Sequence, residues 1–245
     1  MGSGADLWRY RARLCRAIIV KAATLRALNQ ARDAKRAVVL ATWLDTGEER
    51  LIELDGPVEE AISAAVAEAF AHDRSTTVVV DGRDLFLNVF NPPLRLVIIG
   101  AVHVAQPLSA LAQISGYDVT IVDPRRAWSD PARFPGIRVL NTWPDDALKT
   151  LELDHRTAVA TLTHDPKIDD PALHVALRTP VFYVGSLGSR RTHAKRLKRL
   201  HEAGFSNAET DRINAPVGLD IGARTHAEIA LSVMAEVVAT QRGKL

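Results

Sequence analysis

Leu96-Val97-Ile98-Ile99-Gly100-Ala101-Val102-His103-Val104-Ala105 is the stretch that decides the fold. Four apolar residues, three of them β-branched, run without polar alternation into a glycine and then into a helix-like segment. A strand with no polar face is buried on both sides, the condition of a parallel sheet covered by helices. Residues 104–115 read as the crossover helix, with Gly116 as its stop. The alternation then continues, with 119–123 as strand two, 137–140 as strand three, 158–163 as strand four and 181–184 as strand five. A capping box, Thr225 with Glu228, opens a last helix whose apolar stripe is Ile229, Ala230, Val233, Met234, Val237 and Val238. The expected class is α/β, a doubly wound parallel sheet over residues 93–245.

Upstream, residues 21–92 read as a small α/β domain. Residues 21–35 have helical spacing, 37–42 form a strand, and Thr46-Gly47 turns the chain into a strand at 51–54. An alanine-rich helix spans 58–71, and Asp81-Gly82 joins 76–80 to 85–90 as a hairpin with a tight primed turn. Asn91-Pro92-Pro93 breaks regular structure, and the domain boundary is placed there. Residues 1–20 are read as a leader and set outside the fold.

The bulk numbers exclude several functions. With 31 basic and 29 acidic residues the net charge is only +2, and aromatics are 5%, so neither a phosphate-tracking surface nor a base-stacking platform is expected. No apolar stretch is long enough to span a bilayer. The single cysteine, Cys15, excludes an intrachain disulfide and a cysteine-based zinc cage, which points to a reducing cytoplasm.

Three loops carry the candidate chemistry. Gly185-Ser186-Leu187-Gly188-Ser189-Arg190-Arg191 follows strand five and opens a helix. Free backbone N–H groups at a helix start attract a phosphate, and two guanidinium groups add donors. The bland alternative is a helix-start turn that needs flexible backbone. Lys195, Arg196, Lys198 and Arg199 beyond it read as a solvated basic face.

The turn after strand one resembles a dinucleotide fingerprint, with Gly100 in place and Asp123 about 23 residues on, beside Arg125. Its middle glycine is replaced by Val102, whose branched side chain crowds a pyrophosphate, so ordinary NAD(P) binding is disfavoured. In a 3-2-1-4-5 strand order, strands one and four are neighbours where the order reverses, so His103 and His164 face one crevice. Alternatively His164 and Asp165 cap the helix that begins near Pro166. No third ligand accompanies the two histidines, so no metal is expected. In the third loop, between Pro216 and Arg224, Gly218 and Gly222 permit sharp turns, and Asp220 either accepts hydrogen bonds from a ligand's amino groups or pins the loop.

These segments resemble the C-terminal domain of the XdhC/CoxI family. The resemblance rests on residues 96–105, Asp123-Pro124-Arg125, Arg133-Phe134-Pro135, Leu162-Thr163-His164-Asp165, 183–191, 215–223 and 228–236, in order. It covers residues 94 to about 240 and implies a Rossmann-like fold. It further implies an accessory protein of molybdenum hydroxylases of the xanthine or carbon monoxide dehydrogenase type. Such a protein would bind the pyranopterin molybdenum cofactor as cargo and deliver it to the apo-enzyme, without turnover of its own. A cysteine desulfurase as sulfur donor and a homodimer accompany that expectation. The implied contacts are Gly100, His103, Asp123, Arg125, His164, Asp165, Gly185, Ser186, Gly188, Ser189, Arg190, Arg191, Gly218, Asp220 and Gly222, with no catalytic residue. The N-terminal likeness is weaker: a Gly-Ser-x-Pro-Arg segment is missing, and Pro57 stands where other members have cysteine. Two further readings remain open: an NAD(P)-dependent oxidoreductase using Asp123 or Arg125 at the ribose, and a protein-only scaffold for hydroxylase maturation.

Overall fold

The computed structural model describes residues 20–245, so the leader reading and Cys15 lie outside the described residues. The chain divides into two compact units, one up to Pro92 and one from Pro93.

In the first unit, helix α1 (Ala22–Asp33) precedes β1 (Val38–Trp43) and β2 (Glu49–Glu53); helix α2 (Glu60–His72) precedes β3 (Thr76–Val80) and β4 (Arg83–Phe90). The four strands form an antiparallel sheet in the order β2-β1-β4-β3. Alternation along β1 sends Val39 and Ala41 toward Ile62, Val66 and Phe70 of α2, while Val38 packs with Leu28 and Ala31 of α1. The hairpin turn has Asp81 at φ +51° and Gly82 at φ +75°, both left-handed, as a primed turn requires.

The second unit is a parallel six-stranded sheet. Its strands are β5 (Arg95–Ile99), β6 (Asp118–Val122), β7 (Arg138–Leu140), β8 (Thr157–Thr161), β9 (Tyr183–Ser186) and β10 (Ile213–Asn214). They lie in the order β10-β9-β8-β5-β6-β7, so the order reverses between β5 and β8. Connecting helices are α3 (Ala105–Ile114), α4 (Pro144–Thr150), α5 (Pro166–Ala176), α6 (Arg190–Glu202), α7 (Asn207–Thr210) and α8 (His226–Gln241). On one face Leu96, Ile98 and Ala160 pack with Leu108 of α3 and Val233 and Val237 of α8. On the other, Val97, Ile99 and Val159 pack with Leu148, Leu173 and Leu200 from α4, α5 and α6. Burial on both faces is why β5 reads as an unbroken apolar run. Thr225 and Glu228 form both halves of the capping box of α8, whereas Val238, read as part of its apolar stripe, is exposed.

Several features differ from the sequence reading: strand four ends at Thr161 and not at Thr163, and α4 and α7 are additional helices. The short edge strand β10 is additional, because two residues give no periodicity to detect. Strand five starts two residues later and continues through Gly185 and Ser186, which therefore belong to the sheet and not to a loop. Gly185 pairs with Ala160 and Ser186 with Thr161 of β8, which carries the strand on, and Tyr183 dictates the glycine. A Cβ on Gly185 would fall 2.4 Å from the Tyr183 hydroxyl and 2.6 Å from Val217, so only glycine fits beneath the ring. That hydroxyl donates to Glu236 Oε2 of α8 at 2.5 Å; burial, then the Glu236 charge and this bond, push the phenol well above the ordinary tyrosine range. The Ser186 hydroxyl is likewise buried, bonded to Thr161 on the neighbouring strand.

Candidate functional site

The carboxyl ends of β5 and β8 open onto a crevice of about 330 Å³. Gly100 ends β5 at φ +104°, and a Cβ there would lie 2.4 Å from Thr163 Cγ2, so the two strand ends meet in close contact. Beyond that contact His103 and His164 stand on walls of the same crevice, with Val102 and Leu162 between them and Leu187 from the end of β9 beside them. Sequence reasoning missed two further members. Trp128 comes from the loop after β6, with its ring centroid 5.9 Å from that of His103. His226, the first residue of α8, meets His103 edge-to-face at 5.3 Å. Arg125 and Arg133 lie over the Trp128 ring at 5.3 and 5.9 Å, cation–π contacts that hold the indole in place. The only advance signals were a tryptophan close to Arg125-Arg126 and a histidine directly after the capping threonine.

The crevice offers two faces to a ligand. Val102, Leu162 and Ile229 provide apolar surface, and three imidazoles with the indole provide flat rings with polar edges. Such a lining suits a planar heterocycle bearing amino and keto groups. Among the described residues no group of three or more His, Cys, Asp or Glu side chains is arranged to hold a metal ion.

Several residues read as ligand contacts are turned to internal work. Asp123 has no exposed surface and accepts the Ala101 N–H at 2.8 Å, the Arg125 N–H at 2.9 Å, and Arg125 Nε and Nη2 at 2.9 and 2.8 Å. Burial alone would raise its pKa, but the Arg125 guanidinium and the two backbone donors outweigh it and hold the carboxyl below its ordinary range. Both carboxylate oxygens are thus committed to joining the β5 turn to the end of β6, which removes the ribose role considered for Asp123. Asp165 is the N-cap of α5, accepting the Lys167 N–H at 3.0 Å. Ser189 caps α6 in the same way, through Thr192.

In the third loop Gly218 sits at φ +93° and donates to Glu236 Oε2 at 2.9 Å. The pin is therefore Glu236, whereas Asp220 is exposed and forms no hydrogen bond or ion pair among the described residues. Gly222 is exposed, at φ +73°.

A second cavity, about 380 Å³, lies between α5 and α6, and His164 lines both. His164 adopts a left-handed backbone, φ +62°, at this shared wall. Of the strand-five loop, Gly188 has φ +139° and packs against Thr192; Arg191 lines the cavity, Arg190 is exposed, and neither enters an ion pair among the described residues. The face of α6 read as solvated is not uniformly so. Arg199 is paired with Asp170 through Nε at 2.5 Å and Nη2 at 2.9 Å, and Arg196 is only 2% exposed.

Relatives place this arrangement in a family. The chain is 40% identical over 152 residues to the molybdenum cofactor insertion chaperone PaoD of Escherichia coli K12, a match that covers 62% of this chain and 42% of PaoD. It is 28% identical over 189 residues to a protein of Bacillus subtilis 168 described as a probable xanthine dehydrogenase component, covering 77% of this chain and 53% of that protein. The chain thus spans about half the length, or less, of these curated relatives. A crystal structure of a xanthine dehydrogenase from Bacillus halodurans shares the fold, with a TM-score of 0.69 at 22% identity over 92% of this chain and 67% of that one. The XdhC Rossmann domain model matches residues 96–237, more than half of the sequence, and the chain belongs to that family.

Proposed function

We propose that this protein binds the pyranopterin molybdenum cofactor as cargo and passes it to the apo-form of a molybdenum hydroxylase. The observation that carries the reading is the crevice at the strand-order reversal, walled by His103, Trp128, His164 and His226. The pterin is a flat bicycle rimmed with amino and keto groups. Trp128 gives it a face to stack on, the imidazoles give donors and acceptors to its edges, and Val102, Leu162 and Ile229 keep water from its faces. The name of the relative PaoD supports the same cargo.

The test is purification under anoxic conditions from cofactor-replete cells, followed by oxidation to a fluorescent pterin and, in parallel, mixing with cofactor-free hydroxylase. The wild-type chain should carry pterin and restore hydroxylase activity. Replacing His103 and Trp128 together by alanine should cut retained pterin by about tenfold or more, the loss expected for one stacking and one hydrogen-bonding contact. A folded preparation that never carries pterin overturns the reading.

A further inference from the structure

We propose that the cavity between α5 and α6 is an oxyanion site that takes a phosphate or diphosphate group, with Arg196 as its principal donor. Arg196 and Leu200 are the buried residues of α6, four apart and so on one helix face. Arg196 Nη2 donates to the Leu187 carbonyl at 2.9 Å, which ties the helix to the loop after β9. Its Nε and Nη1 are buried and have no partner. A guanidinium left partly unmatched out of water is costly, and such groups in folded proteins call for a ligand or a function.

Its neighbours do not supply the missing partner. Asp169, 2% exposed, accepts from the Thr163 hydroxyl at 2.7 Å through Oδ1, while Oδ2 is buried and unpartnered. The two unmatched groups therefore line one cavity without closing an ion pair on each other. Arg191 and Lys195 stand exposed at its rim and enter no ion pair among the described residues; Arg199 is neutralised by Asp170. Arg191, Lys195 and Arg196 thus line the cavity with one buried acid, Asp169, which attracts Arg196 through space without bonding it and whose carboxyl burial pushes above its ordinary range. The balance selects an anion with several acceptor oxygens.

This site does not rest on the cargo reading, because Arg196, Asp169, Arg191 and Lys195 are absent from the walls of the other crevice. The experiment is calorimetric titration of the purified full chain with inorganic pyrophosphate at low ionic strength, where surface charge is least screened. Saturable binding is expected. Arg191→Ala with Lys195→Ala, at exposed positions that leave the fold intact, should weaken it about tenfold, the worth of one charged hydrogen bond. Arg196→Gln should abolish it, and Asp169→Asn, which keeps an acceptor for Thr163 and removes the negative charge, should tighten it. No saturable binding by the wild type overturns the site, as does a double variant that binds as well as wild type, which remains decisive if Arg196→Gln does not fold. Orthophosphate and glycerol phosphate run beside it separate the sources: tighter orthophosphate assigns a free ion, tighter glycerol phosphate the phosphate of a larger ligand, and either supports the site. Binding of pyrophosphate by a chain that carries no pterin would retain this inference and remove the cargo reading.

Discussion

Asp123→Asn lowers the unfolding free energy by about 3 kcal/mol, among the largest effects expected of a near-isosteric change in this chain. The new amide turns a donor toward the buried Ala101 N–H or the Arg125 guanidinium, both of which now bond to carboxylate oxygens. Exposed pairs such as Arg36 with Glu53 and Arg83 with Asp45 should by contrast contribute little, because water screens them. The loss has a pH signature. The Asp123 carboxyl titrates below its unfolded value, so its contribution is complete above the ordinary carboxylate range and disappears as pH falls through the depressed folded value. Urea unfolding of wild type and variant at neutral and acid pH should show two curves that converge in acid. A difference below about 1 kcal/mol at neutral pH, or one that does not shrink in acid, would show that this network is not what joins the β5 turn to β6.

The second large effect is at Gly100. Gly100→Ala places a Cβ 2.4 Å from Thr163 Cγ2 and forces an L-residue to φ +104°. Strain and overlap together should cost about 3 kcal/mol. The two terms can be separated. Thr163→Ser deletes the clashing methyl but keeps the hydroxyl that donates to Asp169. In that background Gly100→Ala should cost about 1 to 2 kcal/mol less, a coupling readable from a double-mutant cycle of denaturation midpoints. Strict additivity would mean that the strand ends do not touch as described.

How much of this was legible in the sequence depends on whether the signal is local. The β5 run, the Asp81-Gly82 turn and the Thr225–Glu228 capping box each depend on residues within one element, and each could be read directly. Arg196 could not. Amid the cations of α6 the only inward cue was its spacing of four from Leu200, and a chain of arginines and lysines ordinarily lies in solvent. Gly185 and Ser186 looked like a loop because small residues after an apolar run usually mark one; their pairing with Ala160 and Thr161 of β8 makes them strand, and the Tyr183 ring over residue 185 requires the glycine. Asp123 looked like a ligand contact because fingerprint spacing does not say whether its carboxylate faces out or folds back on Arg125. Trp128 and His226 join His103 only because parallel crossovers bring the loops after separate strands to one end of the sheet.

Whether the crevice between β5 and β8 holds a pterin is decided by mass spectrometry of the small molecule freed by gentle denaturation of protein purified without oxygen. The expected mass contains a pyranopterin, present in proportion to protein and lost when His103 and Trp128 are both replaced by alanine. A nicotinamide nucleotide as the released species, or a pterin yield unchanged in that variant, would remove the pterin from this crevice.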